Sequence, residues 1–215
     1  MNSVKHYFFM TSVFKADLLK GKVAFVTGGA TGICYVIAKS FLQHQCKVCI
    51  VSRKIDNINK AVEALQKIAP GMVAGTSCDV RKPESIKEAV AYCHDKLGKI
   101  DILVNGAAGN FLAPFESLSY NAFRTVMEID TFGTFNASKV VYEMAFKNRG
   151  GIIVNISASL HYNGTALQLH AGTAKAGVDA LTKHLAVELG PKKVRVVGIV
   201  PGPIQDTEGF SRLGK

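Results

Sequence analysis

From residue 22 to residue 200, short apolar runs alternate with stretches of helical periodicity, and this alternation narrows the possible folds more than any other feature. The runs are Val23–Thr27, Val48–Val51, Met72–Thr76, Ile100–Val104, Gly151–Ile156 and Val194–Val200. They are nearly continuous in apolar residues instead of alternating, the pattern of strands covered on both faces. Ile33, Val36, Ile37 and Phe41 recur at the spacing of one helix face. A second helix is expected over Asn57–Ile68, ended by Pro70 and Gly71. Pro83 suits a helix N-terminus, with Ile86, Ala89, Val90 and Cys93 as its buried stripe. Longer helices are expected over Asn121–Phe146 and His170–Leu189. Strand–helix–strand repetition predicts an α/β fold with a Rossmann-type, doubly wound parallel sheet of six strands. Residues 1–20 read as an N-terminal extension and 21–215 as one dinucleotide-binding domain.

Composition excludes several classes. With 48% hydrophobic residues in 215, the chain is neither disordered nor collagen-like. No run of eighteen apolar residues exists, so no membrane-spanning helix is expected. The net charge of +10 suits an anionic partner: nucleic acid, anionic lipid, or a phosphate-rich cofactor and substrate. No basic run interleaved with aromatics supports nucleic acid. Five cysteines without framework spacing point to a reducing compartment. Cys46 and Cys49 form a C-x-x-C at a strand entry without a second pair, and read as small core residues; no metal site is expected. Residues 1–20 lack a cleavage-site pattern, so no signal peptide is expected, and the sequons at Asn136, Asn155 and Asn163 are chance matches.

The stretch Gly28-Gly29-Ala30-Thr31-Gly32-Ile33 lies directly between the first strand and the first helix. Glycines there let the backbone approach a pyrophosphate, and the helix N-terminus offers free N–H groups. The second strand ends Ser52-Arg53-Lys54, with no acid to hold a ribose 2′-hydroxyl and an Arg that suits a 2′-phosphate, so NADPH is favoured over NADH. Cys78-Asp79-Val80 suits the adenine amine, and Asn105-Gly106-Ala107-Ala108-Gly109 is small enough to lie against the cofactor.

Taken together, T-G-x-x-x-G-I at Thr27–Ile33, Asp79-Val80, the N-x-A-G type run at 105–109, Lys175 and Pro201-Gly202-Pro203-Ile204 resemble the short-chain dehydrogenases/reductases. Asn105–Leu112, Glu128–Thr131, His170–Ala176 and 201–209 are similar to the 2,4-dienoyl-CoA reductase branch of that family. The resemblance implies NADPH-dependent reduction of a dienoyl-CoA to a 3-enoyl-CoA. It adds Asn57, Ile204 and Thr207 to the cofactor contacts, with Lys175 on the nicotinamide ribose. Substrate contacts implied the same way are Arg53, Arg81, Phe111, Ser119, Tyr120, Asn121 and Arg212. Most of the family places a tyrosine four residues before the lysine, and a serine after the fifth strand. Here Ala171 and Ala158 stand there, with Ser157 and Ser159 flanking. An alanine transfers no proton. The branch replaces the phenol with an ordered water, and Asp130 and Lys175 are the implied catalytic pair. The relatives further imply a homotetramer, an acyl-CoA partner and a peroxisomal location, although 213–215 is not an address of the S-K-L type.

Two departures from the family pattern carry expectations. Cys34 follows Ile33 where a glycine is usual, and overpacking of roughly 1–3 kcal/mol or crowding of the cofactor is expected. Family members continue past this point into a seventh strand, so an incomplete domain is expected here, with Val194–Val200 as an exposed apolar edge. Two further readings stand beside the reductase: a truncated, non-catalytic relative, and a trans-2-enoyl-CoA reductase.

Overall fold

The computed structural model describes residues 13–205. Six strands, β1 (Val23–Thr27), β2 (Lys47–Ser52), β3 (Val73–Ser77), β4 (Ile102–Asn105), β5 (Gly151–Ile156) and β6 (Val194–Ile199), form one sheet in the order β3-β2-β1-β4-β5-β6. Every pairing is parallel. The six helices are α1 (Gly32–Gln43), α2 (Ile55–Gln66), α3 (Pro83–Leu97), α4 (Tyr120–Met127), α5 (Gly133–Val141) and α6 (Leu169–Leu189). The sequence order crosses from the β3 edge back to β4 beside β1, so the strand order switches direction between β1 and β4. Ligands of open α/β sheets bind at the carboxyl ends of strands beside such a switch.

Both faces of the sheet are packed, as the unbroken apolar strands predict. On one face Phe25, Val51, Leu103 and Ile153 meet Ile86 and Val90 of α3 and Val140 and Val141 of α5. On the other, Val26, Ile50 and Val104 meet Ala38 and Leu42 of α1 and Ile58 and Leu65 of α2. All five cysteines are free and buried, Cys46 and Cys49 among them, as small core residues should be.

Three sequence expectations change. β4 begins at Ile102 instead of Ile100. Just before it, Asp101 anchors the strand entry: its Oδ2 accepts the Val23 N–H at 3.0 Å and its Oδ1 faces Lys22 and Arg149 at 3.6 and 3.3 Å. The single helix expected over Asn121–Phe146 is instead α4 and α5 joined by a π-helical turn, Glu128–Phe132, with a second such turn at Tyr142–Phe146. Among the described residues β6 is an edge strand, but only its far end is open. Val194 and Val196 pack into the core, while Ile199 and Val200 are exposed. Val194 and Val196 share a core cluster with Leu189 at the end of α6, the helix that packs against β6.

Phe25 is fully buried at the centre of β1. Phe25→Ala is expected to lower unfolding free energy by about 3–5 kcal/mol, read as a lower urea midpoint at unchanged m-value.

Candidate active site

A cleft of about 700 Å³ opens at the carboxyl ends of the strands, walled by the β1–α1 turn, the end of β2, the loop after β4, the end of β5 and residues 201–204. That volume suits a small-molecule ligand. Gly28 and Gly32 of the β1–α1 turn have φ of 68° and 57°, in the left-handed region that favours glycine. The Gly28 N–H donates to the Val51 carbonyl at 2.8 Å, and a Cβ at this position would stand 2.8 Å from the Gly106 carbonyl oxygen. Gly28, Thr31, Gly32 and Ile33 line the cleft, whereas Gly29 backs onto Ile50 and, with Ala30, lies outside the lining. Thr31 makes no side-chain cap on α1, and no acid occupies the first turn. The helix therefore presents its first N–H groups and partial positive charge to an anion.

Arg53, Lys54 and Asn57 form a basic and polar wall, and Asp79 and Val80 follow at the end of β3. Asp79 is already engaged. The Arg81 guanidinium donates to its two oxygens at 2.6 and 2.9 Å and holds the carboxyl below its ordinary range. Arg81 itself is outside the cleft lining, so the sequence-based placement of its guanidinium on substrate is not what the structure shows. Asn105 also differs from expectation. Its side chain is buried and donates to Asn155 Oδ1 at 2.9 Å and Ser138 Oγ at 3.0 Å, tying β4 to β5 and α5. Ala107 does reach the cleft. Thr27 fixes it there: its Oγ accepts the N–H groups of Gly106 and Ala107 at 3.0 and 3.2 Å.

Cys34 lines the cleft at the start of α1. Its sulfur occupies the space in which a side chain at 106 would stand, and Gly106 leaves that space free. Burial pushes the thiol up to about 11, against a smaller pull from Lys175.

The deepest part of the cleft is built by α6 and the π turn. Thr131 Oγ donates to the Ala174 carbonyl at 2.9 Å, and a Cβ on Gly177 would lie 2.8 Å from the Thr131 methyl group. This close approach carries Asp130 to Lys175. Lys175 Nζ stands 3.2 Å from Asp130 Oδ2 and donates to the Ile156 carbonyl at 2.9 Å. Asp130 Oδ1 accepts the Gly109 N–H at 2.7 Å. Burial pushes the Asp130 carboxyl up, while Lys175 and the Gly109 N–H pull it down. Lys175 lines the cleft; Asp130, only 1% exposed, stands behind it. Ala171, where a phenol is usual, is buried one turn before Lys175. Ser157 and Ser159 both line the cleft, and Ser157 Oγ donates to the Lys175 carbonyl at 3.4 Å.

The structure leaves other expected residues apart from the cleft. Phe111 stacks on His170 and is not in the lining. Ser119 caps α4 by accepting the Ala122 N–H at 3.1 Å, and Tyr120 and Asn121 beside it are exposed. Pro201, Gly202 and Ile204 line the cleft, while Thr207 and Arg212 lie outside the described residues. Thr27 and Ser157 are site residues that the sequence reading did not single out as such. Thr27 ends a strand directly before the glycines, which was the available signal. Among the described residues no helix is long and apolar enough to cross a membrane, and no cluster of His, Cys, Asp or Glu is arranged to hold a metal.

Residues 22–215 match the family model described as short chain dehydrogenase. The chain belongs to that family. It is 53% identical over 204 residues to the peroxisomal 2,4-dienoyl-CoA reductase of Danio rerio, covering 95% of this chain and 68% of the relative. To the enzyme of the same description from Saccharomyces cerevisiae it is 43% identical over 215 residues, covering 99% and 73%. Among solved structures it is similar to the citronellol catabolism dehydrogenase AtuB of Pseudomonas aeruginosa, with a TM-score of 0.84 and 32% identity over 92% of this chain and 81% of the other. A 3-ketoacyl-(acyl-carrier-protein) reductase from Brucella melitensis, complexed with NADH, gives a TM-score of 0.83 at 25% identity, covering 91% and 81%.

In this short-chain dehydrogenase Cys34 and Gly106 share one space. Gly106→Ala alone is expected to cost about 1–3 kcal/mol of stability. The same change in a Cys34→Gly background is expected to cost well under half of that, read from thermal or urea unfolding as a double-mutant cycle. Additive losses would show that the two positions do not interlock.

Proposed function

We propose that this chain reduces 2,4-dienoyl-CoA thioesters to 3-enoyl-CoA with NADPH. The observation that carries the reading is the buried Asp130–Lys175 pair at the wall of the cleft, with alanine at the position of the family's usual phenol. The names of the relatives support the substrate class.

The residues of the cleft fit a dinucleotide. A Cβ at Gly28 would close the approach between the turn and the loop after β4, and the open α1 terminus suits a pyrophosphate. Gly28, Thr31, Gly32 and Ile33 cradle the phosphates. Arg53 and Lys54 favour a 2′-phosphate, Asn57 stands beside them, and Asp79 and Val80 border the adenine. Asn105 supports the nicotinamide side through the sheet, Ala107 touches it directly, and Pro201, Gly202 and Ile204 form its cover. Thr207 is assigned to the carboxamide by resemblance alone. Bound there, the reduced nicotinamide supplies a hydride to the far end of the conjugated thioester.

The remaining chemistry is proton handling by the chain itself. An ammonium has three donors. Lys175 gives one to the Ile156 carbonyl and one to Asp130, which leaves the third for the cleft, where it holds the ribose hydroxyls or a water. That water delivers the proton the α-carbon needs, so that hydride and proton together complete the 3-enoyl product. Asp130 aims Lys175 through its Oδ2, and the buried pair is the route by which the water regains its proton.

For the substrate, Arg53 and the partly exposed Arg81 give the outer cleft the positive charge that CoA phosphates require, Arg81 through its hold on Asp79. Phe111 walls the acyl chain, and Ser119, Tyr120 and Asn121 present an exposed turn to the thioester arm. Arg212 is assigned to CoA by resemblance alone. Exposed Phe132 and Phe135 on the π turn and α5 support a homo-oligomer, a tetramer as the family resemblance implies. The relatives' descriptions support a peroxisomal location.

Purified protein with NADPH and a 2,4-dienoyl-CoA is expected to consume absorbance at 340 nm and to yield a 3-enoyl thioester. Asp130→Asn and Lys175→Ala are each expected to lower kcat about 100-fold or more, and Asp130→Asn to bind NADPH as before. Wild-type turnover in Asp130→Asn would remove the proposed proton route. Arg53→Ala is expected to reduce kcat/KM for NADPH about tenfold or more while leaving NADH nearly unchanged, the size of one lost charge-assisted contact.

A further inference from the structure

The imidazole of His170 is fully buried in the first turn of α6 and stacks on the Phe111 ring, with centroids 4.1 Å apart and an interplanar angle of 21°. No hydrogen bond of normal geometry reaches either ring nitrogen. Burial pushes its pKa down, with the Phe111 backbone and Asp130 acting the other way. An uncharged imidazole in this setting is a flat aromatic surface, and its contact with Phe111 is what the structure gives it to do.

The stack is one of several fastenings along a single loop. The Gly109 N–H donates to Asp130 at 2.7 Å. The Asn110 side chain donates to Gln168 Oε1 at 2.6 Å. Phe111 lies on His170, and the Ala113 N–H donates to the Leu167 carbonyl at 3.0 Å. The 109–113 loop is thus pinned at four places, three of them to residues 167–170 and one to the catalytic carboxylate. Phe111 is 38% exposed while the His170 ring stacked on it is buried, so part of Phe111 is open to a ligand while the buried ring sets its angle.

We propose that His170 is a positioning residue for the acyl end of the site: stacked beneath Phe111, it holds the 109–113 loop so that Phe111 presents its face to the acyl chain and Gly109 keeps its N–H on Asp130. The kinetic consequence rests on the reductase reading above; the consequence for the loop does not. His170 touches neither the cleft nor Asp130 by hydrogen bond, and it acts through Phe111. Phenylalanine at 170 preserves the stack and removes both nitrogens, whereas alanine removes the ring.

The full chain serves as the test object, with four variants: His170→Ala, His170→Phe, Phe111→Ala and the double His170→Ala/Phe111→Ala. His170→Ala is expected to raise KM for the dienoyl-CoA about tenfold, to lower kcat less than KM rises, and to leave the Kd for NADPH within about twofold of wild type. His170→Phe is expected to restore KM. In the Phe111→Ala background the loss of His170 is expected to change KM no further. Additive effects, or a His170→Phe protein as impaired as His170→Ala, would overturn the proposal. Amide hydrogen exchange of Gly109 gives the arm that needs no turnover. It is expected to quicken in His170→Ala and to stay at the wild-type rate in His170→Phe, in cofactor-free protein. An unchanged Gly109 rate in a folded His170→Ala protein overturns the idea even if the wild type proves inactive on dienoyl-CoA. Conversely, an inactive wild type with the expected exchange pattern removes the reductase reading and leaves the positioning role standing.

Discussion

The site depends on an ammonium and a carboxylate held together out of water. Lys175 and Asp130 come from α6 and from the π turn between α4 and α5, elements far apart in sequence. Taking both charges from solvent is expensive, and their attraction offsets the cost only when the remaining donors and acceptors are also satisfied. Here the Ile156 carbonyl and the Gly109 N–H satisfy them. Removing either partner strands the other, so the pair is a poor place for neutral change and a good place for a chemistry that moves protons.

Geometry upstream of the pair serves to make it possible. A regular helix through 120–146 has no reason to turn both Ile129 and Asp130 inward. The wider π turn does so, and π turns interrupt helices frequently at functional sites. Thr131 then docks on α6 at Gly177, where the missing side chain sets the distance. On the other side of the cleft, Thr27 holds the loop after β4 by two N–H groups and so places Gly109 for its bond to Asp130. The glycine turn that walls the cleft and the Asp130–Lys175 pair are therefore tied to one loop.

Much of this was legible in the residues. Unbroken apolar strands predicted a sheet covered on both sides, and the glycines between the first strand and first helix marked one wall of the cleft. Strand limits moved by one or two residues, since they follow pairing between distant segments, as at Asp101 beside Val23, which local periodicity does not encode. The π turns were invisible because one extra residue per turn barely disturbs an apolar pattern. Asn105 and Arg81 were assigned to ligands by motif, yet the structure gives their side chains protein partners. Polar residues at strand ends have several possible partners within reach, and spacing alone does not choose among them. Cys34 looked like a defect only because its counterpart, Gly106, lies 72 positions later in the chain.

That interlock between Cys34 and Gly106 also constrains substitution. A side chain at 106 would press on the Thr27 carbonyl oxygen at 3.2 Å even alone, and with Cys34 present it would also collide with the sulfur. The identity of residue 106 therefore decides which side chains position 34 can carry, although the two are read from opposite ends of the Rossmann half.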